Sequence, residues 1–315
     1  MLDAYVAAGG NFIDTANIYA KGECEAIVGR WLVKKTPAER ARLVVATKVR
    51  NAVDPATAGP NDSGLSRAHI MAAVADSLAR LQTPYIDVYQ CHVWDAGTPV
   101  EETLRALDDL VKGGKVRYTG WSNLTGWQVV KVVAESRRLG IAPPVSLQEQ
   151  YSLLCRATEW EVAEACAAEG VALLPWSPLK GGWLSGKMAR DAPPPEGSRV
   201  AVQEAKGTAM QSHPTFSMFA GQERVWALLE GAAAVAAEVG GGATVAQVAI
   251  RWLLQKPNVP SVVIGAKTVA QLSDNLGALR FELTAAHMAK LDALSAEAPP
   301  YPYEMVTRLN AARRR

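Results

Sequence analysis

Short apolar, β-branched runs alternate along most of the chain with longer stretches of helical period, and the first runs each end in a reactive side chain. Residues 11–14, 43–48 and 87–92 read as strands that finish in a carboxylate, an ammonium and an imidazole: Asp14, Lys48 and His92. Between them, residues 23–33 place Cys24, Ile27, Val28 and Leu32 on one helical stripe. Residues 66–81 do the same with Ile70, Val74 and Leu78 behind a Ser66 N-cap. Residues 1–8, stopped by Gly9-Gly10, read as the later part of a helix with Leu2, Tyr5 and Val6 on one side. The rhythm continues with a helix over 100–111, a strand over 116–122, a helix from Thr125 to Leu139 and a strand over 145–151. A helix over 159–168 and a strand over 171–175 follow. Residues 180–222 break the pattern with Gly181-Gly182 and three consecutive prolines, which predicts a long functional loop, a lid or clamp. Helices over 223–239 and 244–254, a seventh strand over 261–266, a helix over 269–276 and a polar tail complete the expected order.

Strands alternating with helices at this spacing predict a parallel sheet with right-handed crossovers, and at 315 residues a (β/α)8 TIM barrel is the natural closure. The expected organisation is one barrel domain over 1–315, with its long loop at 180–222 and a tail at 284–315. Because Met1 falls inside what should be the first helix, the barrel's first strand is expected to be missing. An open doubly wound sheet is the alternative, but its G-x-G-x-x-G fingerprint is absent from the sequence. In a barrel the carboxyl ends of the strands share one face, so Asp14, Lys48 and His92 should converge with Tyr19 from the loop after residue 14.

Composition narrows the partners. Thirty-three basic and thirty-one acidic residues leave a net charge of +2, too small to imply nucleic acid or an anionic membrane surface, and Arg313–Arg315 reads as a solvated end. Four scattered cysteines form no C-x-x-C pair, which indicates a reducing compartment and neither zinc nor a disulfide framework. The early acid Asp3 and the absence of an apolar run near the roughly 20 residues that span a bilayer point to a cytoplasmic protein. Residues 181–188 spell a phosphate loop with methionine in place of the Mg²⁺-binding hydroxyl, so nucleotide hydrolysis is not expected. Cys91 and His92, adjacent on a strand, should face opposite sides, which makes them poor co-ligands for one metal.

Taken in order, Asn11-Phe12-Ile13-Asp14-Thr15-Ala16 with Tyr19, Ala46-Thr47-Lys48 and Asp87-Val88-Tyr89-Gln90-Cys91-His92 closely resemble the catalytic segments of the aldo-keto reductases. The resemblance extends through Gly120-Trp121-Ser122-Asn123, Gln148, Pro175-Trp176-Ser177-Pro178-Leu179 and Ile264-Gly265-Ala266-Lys267. It implies reduction of a small-molecule carbonyl compound, aldehyde or ketone, with hydride from NADP(H), NAD(H) being the other option. Tyr19 would be the general acid, Lys48 would stabilise its phenolate, Asp14 would hold the lysine and His92 would orient the carbonyl oxygen. It further implies that Ser122, Asn123 and Gln148 meet the nicotinamide carboxamide and that Trp176 stacks on the ring. Ser177, Leu179 and Gly181 would touch the pyrophosphate, while Gly265, Lys267, Gln271 and Asn275 would surround the adenosine end, with Lys267 on a 2′-phosphate.

Two other readings use the same residues. A regulatory subunit of this fold would bind NADP with weak or no turnover and act through a protein partner. A Schiff-base aldolase would use Lys48 as its nucleophile, since a strand-end lysine also suits imine chemistry.

Overall fold

A computed structural model describes residues 1–207 and 214–311. Six strands, β1 (Phe12–Asp14), β2 (Val44–Val49), β3 (Ile86–Cys91), β4 (Val116–Ser122), β5 (Ser146–Gln150) and β6 (Ala172–Trp176), form one sheet in sequential order. The pairs from β1 to β5 are all parallel. Helices separate the strands: α1 (Leu2–Ala7) precedes β1, while α2 (Glu23–Leu32) and α3 (Pro37–Arg40) lead to β2. Then α4 (Arg67–Leu81), α5 (Val100–Lys112), α6 (Gly126–Leu139) and α7 (Val162–Glu169) each lead to the next strand. This is the curled parallel sheet of a (β/α) barrel. The chain divides into two compact units, one of residues 1–148 and 165–172, the other of residues 149–164 and 173–311.

In the first unit the strands bury Val45, Ala46, Val49, Ile86, Val88 and Trp121. The helices lay Ile70, Val74, Leu81, Leu104, Leu107, Val129 and Val132 against this layer, so the predicted periods place most apolar positions correctly. Helix α2 is turned from the expected stripe. Ile27 is 49% exposed, whereas Glu25, Val28, Gly29 and Leu32 are buried. The cause is a close approach: a Cβ at Gly29 would lie 2.2 Å from the Arg80 carbonyl oxygen at the end of α4, and Glu25 is drawn in to accept hydrogen bonds from Thr47 at 2.6 Å and Arg80 at 2.7 Å.

The second unit departs from three expectations. The seventh strand over 261–266 does not form. Among the described residues a backbone bond, Val263 N to Pro175 O at 2.8 Å, ties this stretch to β6, with Leu173 N donating to Asn258 O just before it, too few for a ladder. The long loop is partly helical: a 3-10 turn (Lys180–Ser185) is followed by α8 (Arg199–Lys206), capped by Ser198, and α9 (Phe216–Ala220), while residues 208–213 lie outside the described residues. Its described parts are tied together where fully buried Trp183 stacks on Phe216 at 5.5 Å and meets Trp226 edge-on at 5.9 Å. The tail is also structured. After α10 (Glu223–Val239), α11 (Val245–Leu254) and α12 (Val269–Leu276) come α13 (Ala285–Ser295), started by a Thr284/His287 capping box, and α14 (Tyr303–Asn310). Helix α13 buries Leu291, and its Asp292 accepts hydrogen bonds from Trp252 at 3.0 Å and Lys256 at 2.7 Å. Arg313–Arg315 lie outside the described residues. No described helix is long and apolar enough to cross a membrane.

Candidate active site

All four reactive residues lie in the first unit, at the carboxyl ends of β1, β2 and β3 and in the turn after β1. Register puts them there: Asp14 pairs with Ala46, Lys48 pairs with Gln90, and His92 N donates to Val49 O. Lys48 is buried, its Nζ donating to Asp14 Oδ2 at 2.5 Å, to the Thr15 carbonyl at 3.0 Å and to the Tyr19 hydroxyl at 3.3 Å. One ammonium therefore stands between a carboxylate that neutralises it and a phenol whose ionised form it would stabilise. A largely buried Lys–Asp pair is costly to desolvate and persists where its polar atoms are satisfied, as they are here. Tyr19 is half-exposed, so its hydroxyl can meet an incoming molecule.

His92 stacks edge-on against Tyr19, with ring centroids 5.8 Å apart. Asn51 Nδ2 lies 3.3 Å from His92 Nδ1. An amide nitrogen can only donate, so Nδ1 accepts and the ring proton sits on Nε2, ready to be given to an oxygen. Burial, reinforced by the Lys48 and Arg50 charges, lowers the imidazole from 6.5 to about 4, which keeps the ring neutral at physiological pH.

Three residues of this site, Gln90, Arg50 and Asn51, were not singled out from the sequence. Gln90 donates to Asp14 Oδ1 at 3.0 Å, and Gln148, expected at a cofactor amide, donates to the same oxygen at 2.8 Å. Gln90 sits two residues before His92 on the same strand face, a period-two signal available from the sequence. Arg50 and Asn51, just past Lys48, were equally accessible because they follow the same strand end. Arg50 Nη1 donates to Asn51 Oδ1 at 3.3 Å, its Nε is buried without a partner, and its φ is +126°. Such a conformation in a non-glycine residue costs on the order of 1–3 kcal/mol and persists only where the surroundings impose it. A separate cavity of about 300 Å³, lined by Trp94, Asp95, Thr98, Glu101 and Lys131, holds none of the four reactive groups.

Among the residues expected on the cofactor side, Ser122 and Asn123 cap β4 beside His92. Asn123, at φ +57°, donates to the His92 carbonyl at 2.8 Å and to Ser122 Oγ at 2.9 Å, and Ser122 donates to Gln148 O at 2.7 Å. In the second unit, Trp176 ends β6. The loop behind it holds positive φ at Ser177 (+58°), Lys180 (+45°), Gly181 (+68°) and Gly182 (+113°), with Leu179 among them. Within this loop Lys180 N donates to Ser177 O and Gly182 N to Leu179 O, both at 2.9 Å. No α-helix follows residue 188 directly, the next being α8, so the phosphate-loop spelling has no structural counterpart. Lys267 donates from Nζ to Gly197 O at 2.8 Å, and its backbone N is held by Gln271 at 2.8 Å. Gly265 has open space where a Cβ would stand, and Asn275 is buried in α12. The four cysteines are free, and no metal-holding group of His, Cys, Asp or Glu occurs among the described residues.

One parallel sheet thus brings an acid, a phenol, an amine and an imidazole together at its strand ends. The Aldo/keto reductase family model matches residues 1–296. The chain therefore belongs to the aldo/keto reductase family. It is 35% identical over 272 residues to a probable voltage-gated potassium channel subunit beta of Arabidopsis thaliana, covering 86% of this chain and 78% of that protein. It is also 35% identical over 288 residues to the uncharacterized oxidoreductase YrpG of Bacillus subtilis (strain 168), covering 90% and 82%. An aryl-alcohol dehydrogenase [NADP(+)] of Phanerodontia chrysosporium shares 32% over 300 residues, covering 93% and 74%.

Proposed function

We propose that this chain reduces an aldehyde or ketone to an alcohol with NADPH, Tyr19 delivering the proton to the carbonyl oxygen. The observation that carries the reading is Lys48 Nζ, shared between the Asp14 carboxylate at 2.5 Å and the Tyr19 hydroxyl at 3.3 Å. The bound nicotinamide cofactor supplies the hydride. As negative charge develops on the substrate oxygen, His92 Nε2–H and the Tyr19 hydroxyl both donate to it, and the Tyr19 proton transfers. The ammonium of Lys48 then faces the phenolate left behind, with Asp14 balancing the pair.

The donor set suits the cofactor. Ser122, Asn123 and Gln148 would meet the carboxamide at the ends of β4 and β5, with Gln148 Nε2 donating to Asp14 Oδ1 and its side-chain Oε1 on the acceptor side. Trp176 offers an indole face. Ser177, Leu179 and Gly181 lie in the loop after β6, where Ser177 and Gly181 hold positive φ, and would meet the pyrophosphate. Lys267, with Gly265, Gln271 and Asn275 nearby in sequence, favours the 2′-phosphate of NADP over NAD. The same reading makes a small carbonyl compound the partner and a reducing, cytoplasmic compartment the setting, in keeping with four free cysteines. Complete burial of Lys48 against Asp14 argues against an imine nucleophile.

The test is NADPH oxidation over an aldehyde panel, with cofactor binding followed by tryptophan fluorescence. Tyr19→Phe is expected to lower kcat at least a hundredfold with the NADPH Kd changed less than threefold. A variant that keeps most of its rate would remove Tyr19 from the acid role. The resemblance to proteins named as potassium channel beta subunits favours a second reading, an NADP-binding regulatory subunit with a protein partner, and binding by the unmodified chain without turnover would support it.

A further inference from the structure

The Arg50 guanidinium is a charge that the proposed hydride chemistry leaves unused. It stands immediately past β2, at the same strand end as Lys48. Asn51 ties it to the reacting groups, accepting from Arg50 Nη1 at 3.3 Å and donating to His92 Nδ1 at 3.3 Å, so the guanidinium and the imidazole share one amide. No Asp or Glu among the described residues forms an ion pair with it. The neighbouring acid Asp95 is otherwise engaged, with Oδ2 accepting from Leu65 N and the Thr98 hydroxyl, both at 2.7 Å, and Oδ1 from Gly97 N at 3.0 Å. Asp14 is likewise filled by Lys48, Gln90 and Gln148.

Two features show that the side chain is held in place. Arg50 Nε is buried and makes no hydrogen bond, whereas the great majority of buried donors are paired. Its backbone sits at φ +126°, with its carbonyl fixed by Gly64 N at 2.8 Å. A guanidinium in no ion pair among the described residues, near the Asp95 carboxylate but not bonded to it, with a buried idle donor one amide away from the imidazole, is chemically a fork for a carboxylate or phosphate. We infer that Arg50 receives an anionic group carried by the carbonyl substrate, which makes the substrate class a carboxylated or phosphorylated aldehyde or ketone. This inference rests on the reductase reading.

The experiment compares kcat/KM at saturating NADPH for two matched pairs, 4-formylbenzoate against benzaldehyde and glyceraldehyde 3-phosphate against glyceraldehyde. It uses the full chain, Arg50→Met and Arg50→Lys. The charged member of one pair should be preferred by the full chain, and which pair it is separates carboxylate from phosphate. That preference should fall at least tenfold in Arg50→Met, mainly through KM, and be partly restored in Arg50→Lys. An unchanged ratio in Arg50→Met would overturn the inference, as would an equal weakening of NADPH binding, which would assign the guanidinium to the cofactor. Titration of benzoate and of inorganic phosphate by tryptophan fluorescence supplies a readout independent of turnover, with binding expected at least tenfold weaker in Arg50→Met than in the full chain and intermediate in Arg50→Lys. If no aldehyde is reduced by the full chain, the reductase reading falls while these titrations still decide the role of Arg50.

Discussion

At the scale of single residues, the four reactive groups were legible because strand ends can be read from apolar runs and because parallel strands share a carboxyl face. Asp14, Lys48 and Tyr19 meet around one ammonium, and His92 packs against the phenol. What could not be read was the direction of each amide. Gln148 turns its nitrogen toward Asp14, and the Asn51 amide fixes the tautomer of His92, because side-chain donors follow local partners that spacing alone does not name. The His92 environment also has a thermodynamic consequence. With its value lowered to about 4 in the fold and near 6.5 when unfolded, the unfolded chain binds the extra proton between these limits. Stability should therefore fall as pH drops from 6.5 toward 4. The urea midpoint of the full chain is expected to decline more steeply over that range than that of His92→Gln, and parallel declines would show that the buried imidazole is not the titrating group.

At the scale of elements, the alternation of periods located the first six strands and most helices, but a stripe can be rotated by a single close approach. Helix α2 faces α4 through Gly29, leaving Ile27 outside and taking the polar Glu25 inside. A hydrophobicity pattern cannot signal this, since the deciding atom is a backbone oxygen on another helix. The absent seventh strand and the unexpected α13 have a similar origin: the first lacks enough ladder partners, and the second is recruited by the indole of Trp252 and the ammonium of Lys256. Gly29→Ala tests the α2 contact. A methyl 2.2 Å from the Arg80 carbonyl forces the helices apart, so a loss of about 1–3 kcal/mol is expected from urea unfolding, in the range of overpacked cores. A change below 0.5 kcal/mol would mean that the two helices can separate freely.

At the scale of the whole molecule, a net charge of +2 from thirty-three bases and thirty-one acids describes a chain whose charges mostly answer one another. Most of those answers lie in water. Arg67–Asp109, Arg105–Glu101 and Arg138–Glu135 are exposed pairs, worth little and weakened by salt. Three pairs are of another kind, Lys48–Asp14, Arg40–Asp87 and Arg80–Glu25, each with a largely buried partner and each tied to β2 or to its neighbours. Glu25 makes the contrast testable, because its carboxylate is fully buried and joins α2, the Thr47 hydroxyl beside Lys48, and Arg80 of α4. Glu25→Ala strands a guanidinium and a hydroxyl together, and the cost expected for breaking a buried pair is about 3–5 kcal/mol. Glu101→Ala should cost under about 1 kcal/mol, and 0.5 M NaCl should narrow that smaller loss while leaving the larger one in place. Urea midpoints of the two variants at low and high salt measure both. Equal losses would place the stabilising charges of this barrel on its surface, and the strand that carries Lys48 would then owe its position to apolar packing alone.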